Sequence, residues 1–234
     1  MEIQIDTQGG SAGGISMLGE GLVQVGMSSR PIDDDDRATY PKLHFKEITI
    51  GEDAVALIVS KDVWEGGVHA LSKDQIQKIY EGKITNWADV GGKSQRIVFF
   101  NRESGRGTWV TFANWLYGSS KKAPKVNLLE VGGDDEALTK VVSTRGAVTQ
   151  LTSVRADGKR SFALGIKELG NVVDPAVANI ASHRYPIFRQ LNLLTDGEPS
   201  GEVKTLVDFM LSERGQDLVQ KCGYLRLADL TYKR

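Results

Sequence analysis

Residues 96–117 read RIVFFNRESGRGTWVTFANWLY. Arg96–Asn101 is an apolar strand and Arg102-Glu103-Ser104-Gly105-Arg106-Gly107-Thr108 a glycine-rich loop. Trp109–Tyr117 follows as a helix with Phe112, Trp115 and Leu116 on its core face. The same grammar occurs twice more. Glu2–Gln8, with Ile3 and Ile5 on one face, reads as a strand leading through Gly9-Gly10-Ser11-Ala12-Gly13-Gly14 into a helix over Ile15–Gly21. Leu22–Met27 reads as a strand that stops at Ser28-Ser29-Arg30-Pro31. The acidic run Asp33–Asp36 beyond it is either a helix opening or a solvated face.

Glu47–Ile50 and Ala54–Ser60 read as two strands, the second an apolar run of the kind covered on both faces. Ser72–Tyr80 is a helix with Ser72 as its N-cap, stopped by Gly82. Strands are expected over Leu128–Val131, Ala147–Leu151, Ser161–Ile166 and Gln190–Thr195. Helices are expected over Asp134–Ser143, Glu202–Leu211 and Gly215–Lys221. This alternation predicts an α/β fold with parallel strands.

The composition narrows the function classes. Twenty-nine Lys and Arg against 30 Asp and Glu give a net charge of -1, which argues against nucleic-acid binding through a bulk positive field. One cysteine excludes an intrachain disulfide, and three scattered histidines give no His/Cys metal cluster. Cys222, near a helix end, is expected to be a buried small hydrophobe. Trp64, Trp87, Trp109 and Trp115 read as packing residues. Ser28, Ser29 and Ser104 have no His or Lys at a motif spacing, and Glu103 has no partnered nucleophile, so catalytic residues, metal and cofactor are all read as none.

The three loops point to an anion. Ligands of open α/β sheets sit at the carboxyl ends of strands, where helix N-termini present unpaired N–H groups. Hydroxyls add donors, and an arginine adds a fork that fits a tetrahedral oxyanion.

Several stretches resemble one family. They are Gly9-Gly10-Ser11-Ala12-Gly13-Gly14-Ile15, Gly26-Met27-Ser28-Ser29-Arg30-Pro31, Ile84-Thr85-Asn86-Trp87, Arg102–Thr108 and Pro199-Ser200-Gly201-Glu202-Val203. The chain is similar to the phosphate-binding proteins of phosphate ABC transporters over nearly its whole length. The resemblance implies a two-lobed type II periplasmic-binding-protein fold with a hinge of two crossing strands. The lobes are expected at residues 1–58 with 188–234, and at 62–185, with crossings near Ile58–Lys61 and Tyr185–Gln190.

The resemblance also implies a site in one cleft: Ser11 from the first loop, Ser29 where some relatives carry an aspartate, Arg102 as the charged ligand, and Gly107 with Thr108 opening a helix. Arg106 stands where the family usually has a serine, and either binds the anion or points to solvent. A serine at position 29 can donate or accept, so it discriminates phosphate from sulfate less than a carboxylate does.

The expected function is non-enzymatic binding of phosphate or a related oxyanion and its delivery to ABC permease subunits, in a periplasmic or other extracytoplasmic location. The alternative is a ligand-sensing or scaffold module with the same fold and weakened or lost anion binding. No signal peptide precedes Glu2, and the family's opening strand–loop–helix unit has no counterpart ahead of it. Glu2–Gln8 is therefore expected either to shift to the centre of the sheet or to pair with a second chain in a strand-swapped dimer.

Overall fold

The structure is a computed structural model that describes residues 2–231. It divides into two compact units. The first takes the chain up to Asp53, then Gly105–Gly107 and Arg189–Leu230; the second takes Ala54–Ser104 and Thr108–Phe188, with Thr231.

In chain order the first unit holds helix α1 (Gly10–Gly19), strand β1 (Gly26–Ser28) and helix α2 (Asp34–Thr39). It also holds the opening part of the long strand β2 (Phe45–Ser60). The second unit holds the rest of β2, α3 (Lys61–Glu65), β3 (Ala70–Ser72), α4 (Lys73–Tyr80) and β4 (Val98–Arg102). Helix α5 (Gly107–Tyr117), β5 (Leu129–Val131), α6 (Asp134–Ser143) and β6 (Ala147–Thr152) follow. After them come β7 (Ser161–Ala163), β8 (Gly165–Glu168), β9 (Asn171–Val173) and α7 (Val177–Ala181). Strand β10 (Phe188–Asp196), α8 (Gly201–Leu211) and α9 (Glu213–Lys221) complete the first unit.

In the first unit β10 lies between β1 and β2 in the sheet, and β1 pairs antiparallel with β10. Ile15, Leu18, Ile32 and Leu194 form its core, flanked by Val23, Tyr40, Leu43 and Phe45. In the second unit the strand order is β2-β6-β4-β5, with β7 also on β2. Its core is Ala56, Ile58, Phe100, Val131, Ala137, Val141, Ala147 and Leu151.

The sheet is mixed rather than parallel. β4 runs parallel to β5 and β6, because α5 and α6 supply the crossovers that parallel neighbours need. β2 is antiparallel to both β6 and β7.

Four expectations about the first unit change. Glu2–Gln8 forms no strand and does not move into the sheet; Ile3 and Ile5 are 50% and 72% exposed, and a strand needs a ladder partner. The glycine stretch 9–14 is not a loop ahead of a helix: α1 already begins at Gly10. The strand expected over Leu22–Met27 shrinks to Gly26–Ser28. Glu47–Ile50 and Ala54–Ser60 are one strand, because the intervening Glu52 exchanges backbone hydrogen bonds with Leu225 at 3.0 and 2.9 Å.

The acidic run does open a helix. Asp33 caps α2, accepting from the Asp36 N–H, and the Asp36 carboxylate accepts from the Asp33 N–H. Helix α4 carries the corresponding box between Ser72 and Gln75, at 3.2 and 3.0 Å. Ser72→Ala is expected to cost about 1 kcal/mol of stability, read as a lower urea midpoint with unchanged slope. A midpoint equal to wild type would show that the cap contributes nothing. Cys222, at the C-cap of α9, is exposed rather than buried, because it ends a helix turn instead of facing the core.

Candidate functional site

In the first unit two glycines set the site's geometry. A Cβ on Gly14 would lie 2.3 Å from the Met27 carbonyl, and one on Gly26 would lie 2.6 Å from the Gly14 carbonyl. Helix α1 therefore rests backbone to backbone on β1. This contact carries Ser11, in the first turn of α1, to the residues that follow β1.

The Ser29 N–H donates to Ser11 Oγ at 3.0 Å, and the two hydroxyl oxygens are 3.3 Å apart. Ser11 is buried. Arg189, at the start of β10, donates from Nη1 to Ser29 Oγ at 3.0 Å. Its Nε and Nη2 both donate to Asp53 Oδ2, at 3.0 and 2.7 Å. The Arg189 and Asp53 side chains are 9% and 1% exposed.

The segment Gly105–Gly107 packs on the same place. The Ala12 N–H donates to the Gly105 carbonyl at 3.2 Å. A Cβ on Gly107 would lie 2.2 Å from Ser29 Oγ and 2.6 Å from Ser11 Oγ. Any side chain at position 107 would collide with both hydroxyls. Arg106 lies along the first turn of α1, where a Cβ on Gly10 would be 3.4 Å from its Cγ and 3.7 Å from its Nη1.

Four of the six expected site residues (Ser11, Ser29, Arg106 and Gly107) thus belong to one cluster in the first unit. Arg102 and Thr108 belong to the second unit, and both are buried. Arg102 ends β4. Its Nη1 donates to the Gly133 carbonyl at 2.8 Å and its Nη2 to Asp134 Oδ1 at 2.6 Å, at the start of α6. Thr108 is the second residue of α5.

Arg30, next to Ser29 in the chain, is engaged by Asp36 at 2.5 and 2.8 Å. Burial pushes the Asp36 carboxyl up. Hydrogen bonds from Arg30 and from the Asp33 N–H outweigh burial and hold it below the usual carboxylate range.

Arg189 and Asp53 were not expected at the site. The available signal was positional. Each stands immediately before an apolar strand, Ala54–Ser60 or Gln190–Thr195, and β2 and β10 turn out to be neighbours.

Two open depressions lie elsewhere. One, of about 450 Å³, lies beside Asp62 and Arg145 in the second unit; the other, of about 310 Å³, lies beside Leu18 and Val203 in the first. Neither is lined by Ser11, Ser29 or Gly107. The described residues hold no group of three or more His, Cys, Asp or Glu that could bind a metal ion.

The PBP superfamily domain matches residues 1–214. The phosphate-binding protein PstS of Bacillus subtilis (strain 168) is 30% identical over 235 residues, covering 100% of this chain and 74% of that protein. PstS of Borreliella burgdorferi is 27% identical, covering 96% and 79%. Among solved structures, a Clostridium perfringens chain with bound phosphate, described as a phosphate ABC transporter substrate-binding protein, superposes with a TM-score of 0.81. It is 29% identical, with 93% of this chain and 85% of that chain covered. An ABC-type phosphate transport receptor from Vibrio cholerae has a TM-score of 0.72 at 27% identity, with 92% and 85% covered.

Proposed function

Because this chain belongs to the PBP superfamily, and within it to the PstS phosphate-binding proteins, we propose that its serine cluster is the first unit's share of a phosphate site. The chain is a solute-binding protein of a phosphate ABC transport system, with the type II fold. The observation that supports the site is the convergence of Ser11 Oγ, Ser29 Oγ and the side-chain-free face of Gly107. Two hydroxyl donors beside a helix start suit an oxyanion.

In this reading Arg106 adds positive charge beside α1, and Arg102 and Thr108 supply the second unit's donors. The chain acts without catalysis: it releases the anion unchanged to the permease subunits of the importer. The two units are its lobes. The location is periplasmic or otherwise extracytoplasmic. No described helix is long and apolar enough to cross a membrane. A strand-swapped dimer would pair Glu2–Gln8 with a segment of a second chain, since that segment makes no ladder among the described residues.

Calorimetric titration with inorganic phosphate tests the reading. Saturable heat at one site is expected. Ser11→Ala should weaken it about 10- to 100-fold, the range for losing a hydrogen bond to a charged group. Phosphate affinity unchanged in that variant would remove Ser11 from the site.

A further inference from the structure

The second unit carries a basic surface that the phosphate reading does not use. We propose that the loop after α5 docks on an anionic lipid surface, with Lys121, Lys122 and Lys125 meeting the headgroups. This surface is separate from the phosphate site and stands or falls without it.

Residues 104–129 hold Arg106, these three lysines and no Asp or Glu, in a chain whose net charge is -1. The lysines fall within the stretch Lys121-Lys122-Ala123-Pro124-Lys125, and all three are exposed. Neither Lys122 nor Lys125 forms an ion pair among the described residues. The nearby acids of α4 and its C-cap are already engaged. Lys78 holds Asp74 at 2.8 Å, and Lys83 holds Glu81 at 2.6 Å. The Tyr117 hydroxyl at the end of α5 also donates to Glu81, at 3.1 Å. The next acid along the chain is Glu130.

Positive charge past a helix C-terminus suits the helix dipole, but that effect fades within the last turn. These lysines lie beyond it, after Tyr117 has ended α5. The loop is also held in place. The Ser120 N–H donates to Asn114 Oδ1 at 2.6 Å, the Lys121 N–H to Ser119 Oγ at 3.3 Å and the Lys122 N–H to the Ser119 carbonyl at 3.0 Å. Lys121 and Lys122 are therefore presented by a fixed short turn, Ser120–Lys122.

Apolar residues follow and separate the lysines: Ala123, Pro124, Val126, Leu128 and Leu129. Leu129 opens β5, the edge strand of the sheet, and is 60% exposed. A folded acidic partner would match the lysines alone. A lipid surface also takes the leucine, because the acyl boundary lies directly beneath the headgroups. Helix α5 is about 16 Å long at 1.5 Å per residue, and Thr108 stands at its other end. Lipid contact at the loop leaves that end uncovered.

The test is sedimentation of the full chain with vesicles at low salt. One set contains equal parts phosphatidylglycerol and phosphatidylcholine, the other phosphatidylcholine alone. Each lysine near an anionic surface raises partitioning about fivefold, so three give about 100-fold. With Glu130 set against them, the wild type is expected to favour the anionic vesicles at least about 10-fold. That preference should vanish in about 0.5 M NaCl, where screening is short-ranged. Lys121→Gln, Lys122→Gln and Lys125→Gln together should lower it at least about 10-fold.

A wild-type preference below about 10-fold, a preference that survives salt, or a folded triple variant that pellets like wild type would overturn the proposal. An acidic protein as the true partner would show as that low preference. Phosphate titration of the triple variant should match wild type, so the two kinds of binding are read separately. Should the variant not fold, as read by thermal melting, the wild-type ratio and its salt dependence decide alone.

Discussion

Gly107→Val is expected to abolish measurable phosphate binding while leaving the protein folded. Its Cβ would stand 2.2 Å from Ser29 Oγ and 2.6 Å from Ser11 Oγ, distances that no pair of such atoms tolerates. One serine must rotate away, and the valine methyls then occupy the place proposed for an anion oxygen beside the hydroxyls. Two charge-assisted hydrogen bonds of about 1.5–3 kcal/mol each are lost. Affinity should fall at least about 100-fold. The cost to the fold is that of one overpacked position, about 1–3 kcal/mol. Calorimetry paired with a thermal melt separates the two effects. Near-wild-type affinity in a folded valine variant would mean that the anion does not sit beside Gly107.

The second large effect concerns stability. Asp53→Ala removes the carboxylate that two Arg189 nitrogens grip, at a place where the arginine is 9% exposed. Breaking a buried pair from one side leaves an uncompensated charge and costs about 3–5 kcal/mol. Against a typical total of about 5–15 kcal/mol, that is a large share. Urea unfolding should show it, and Asp53→Asn, which keeps a neutral acceptor, should lose less. A loss below about 1 kcal/mol in the alanine variant would place the pair with ordinary surface salt bridges.

Where structure follows from neighbours in sequence, it was legible. Helix α6 runs over Asp134–Ser143 as its pattern indicates, and α4 starts after Ser72 because the cap and its Gln75 partner lie three residues apart. Where structure depends on distant segments, the reading failed. Glu52 and Asp53 look like a break between two strands. They continue one strand because Leu225 takes the backbone of the first and Arg189 the carboxylate of the second. Glu2–Gln8 shows the opposite case: its alternation is strand-like, yet the described chain supplies no ladder for it.

The candidate site divides along the same line. Ser11, Ser29 and Gly107 were marked by the Gly- and Ser-rich loops that hold them and by the family resemblance of those loops. Asp53 and Arg189 were not, because they are 136 positions apart and carry no motif of their own. What brings them together is the adjacency of β2 and β10.

Cys222 has a practical consequence. It is the single cysteine of the chain, and it is exposed at the end of α9. With no second thiol in the chain to close an internal bridge, air oxidation can join it only to another molecule. Two copies linked sulfur to sulfur would scatter light as a dimer whether or not any strand had exchanged. Measurements of self-association therefore need a reductant or Cys222→Ser. The same lone thiol accepts a maleimide dye at one defined position, giving a uniformly labelled sample for following the protein optically.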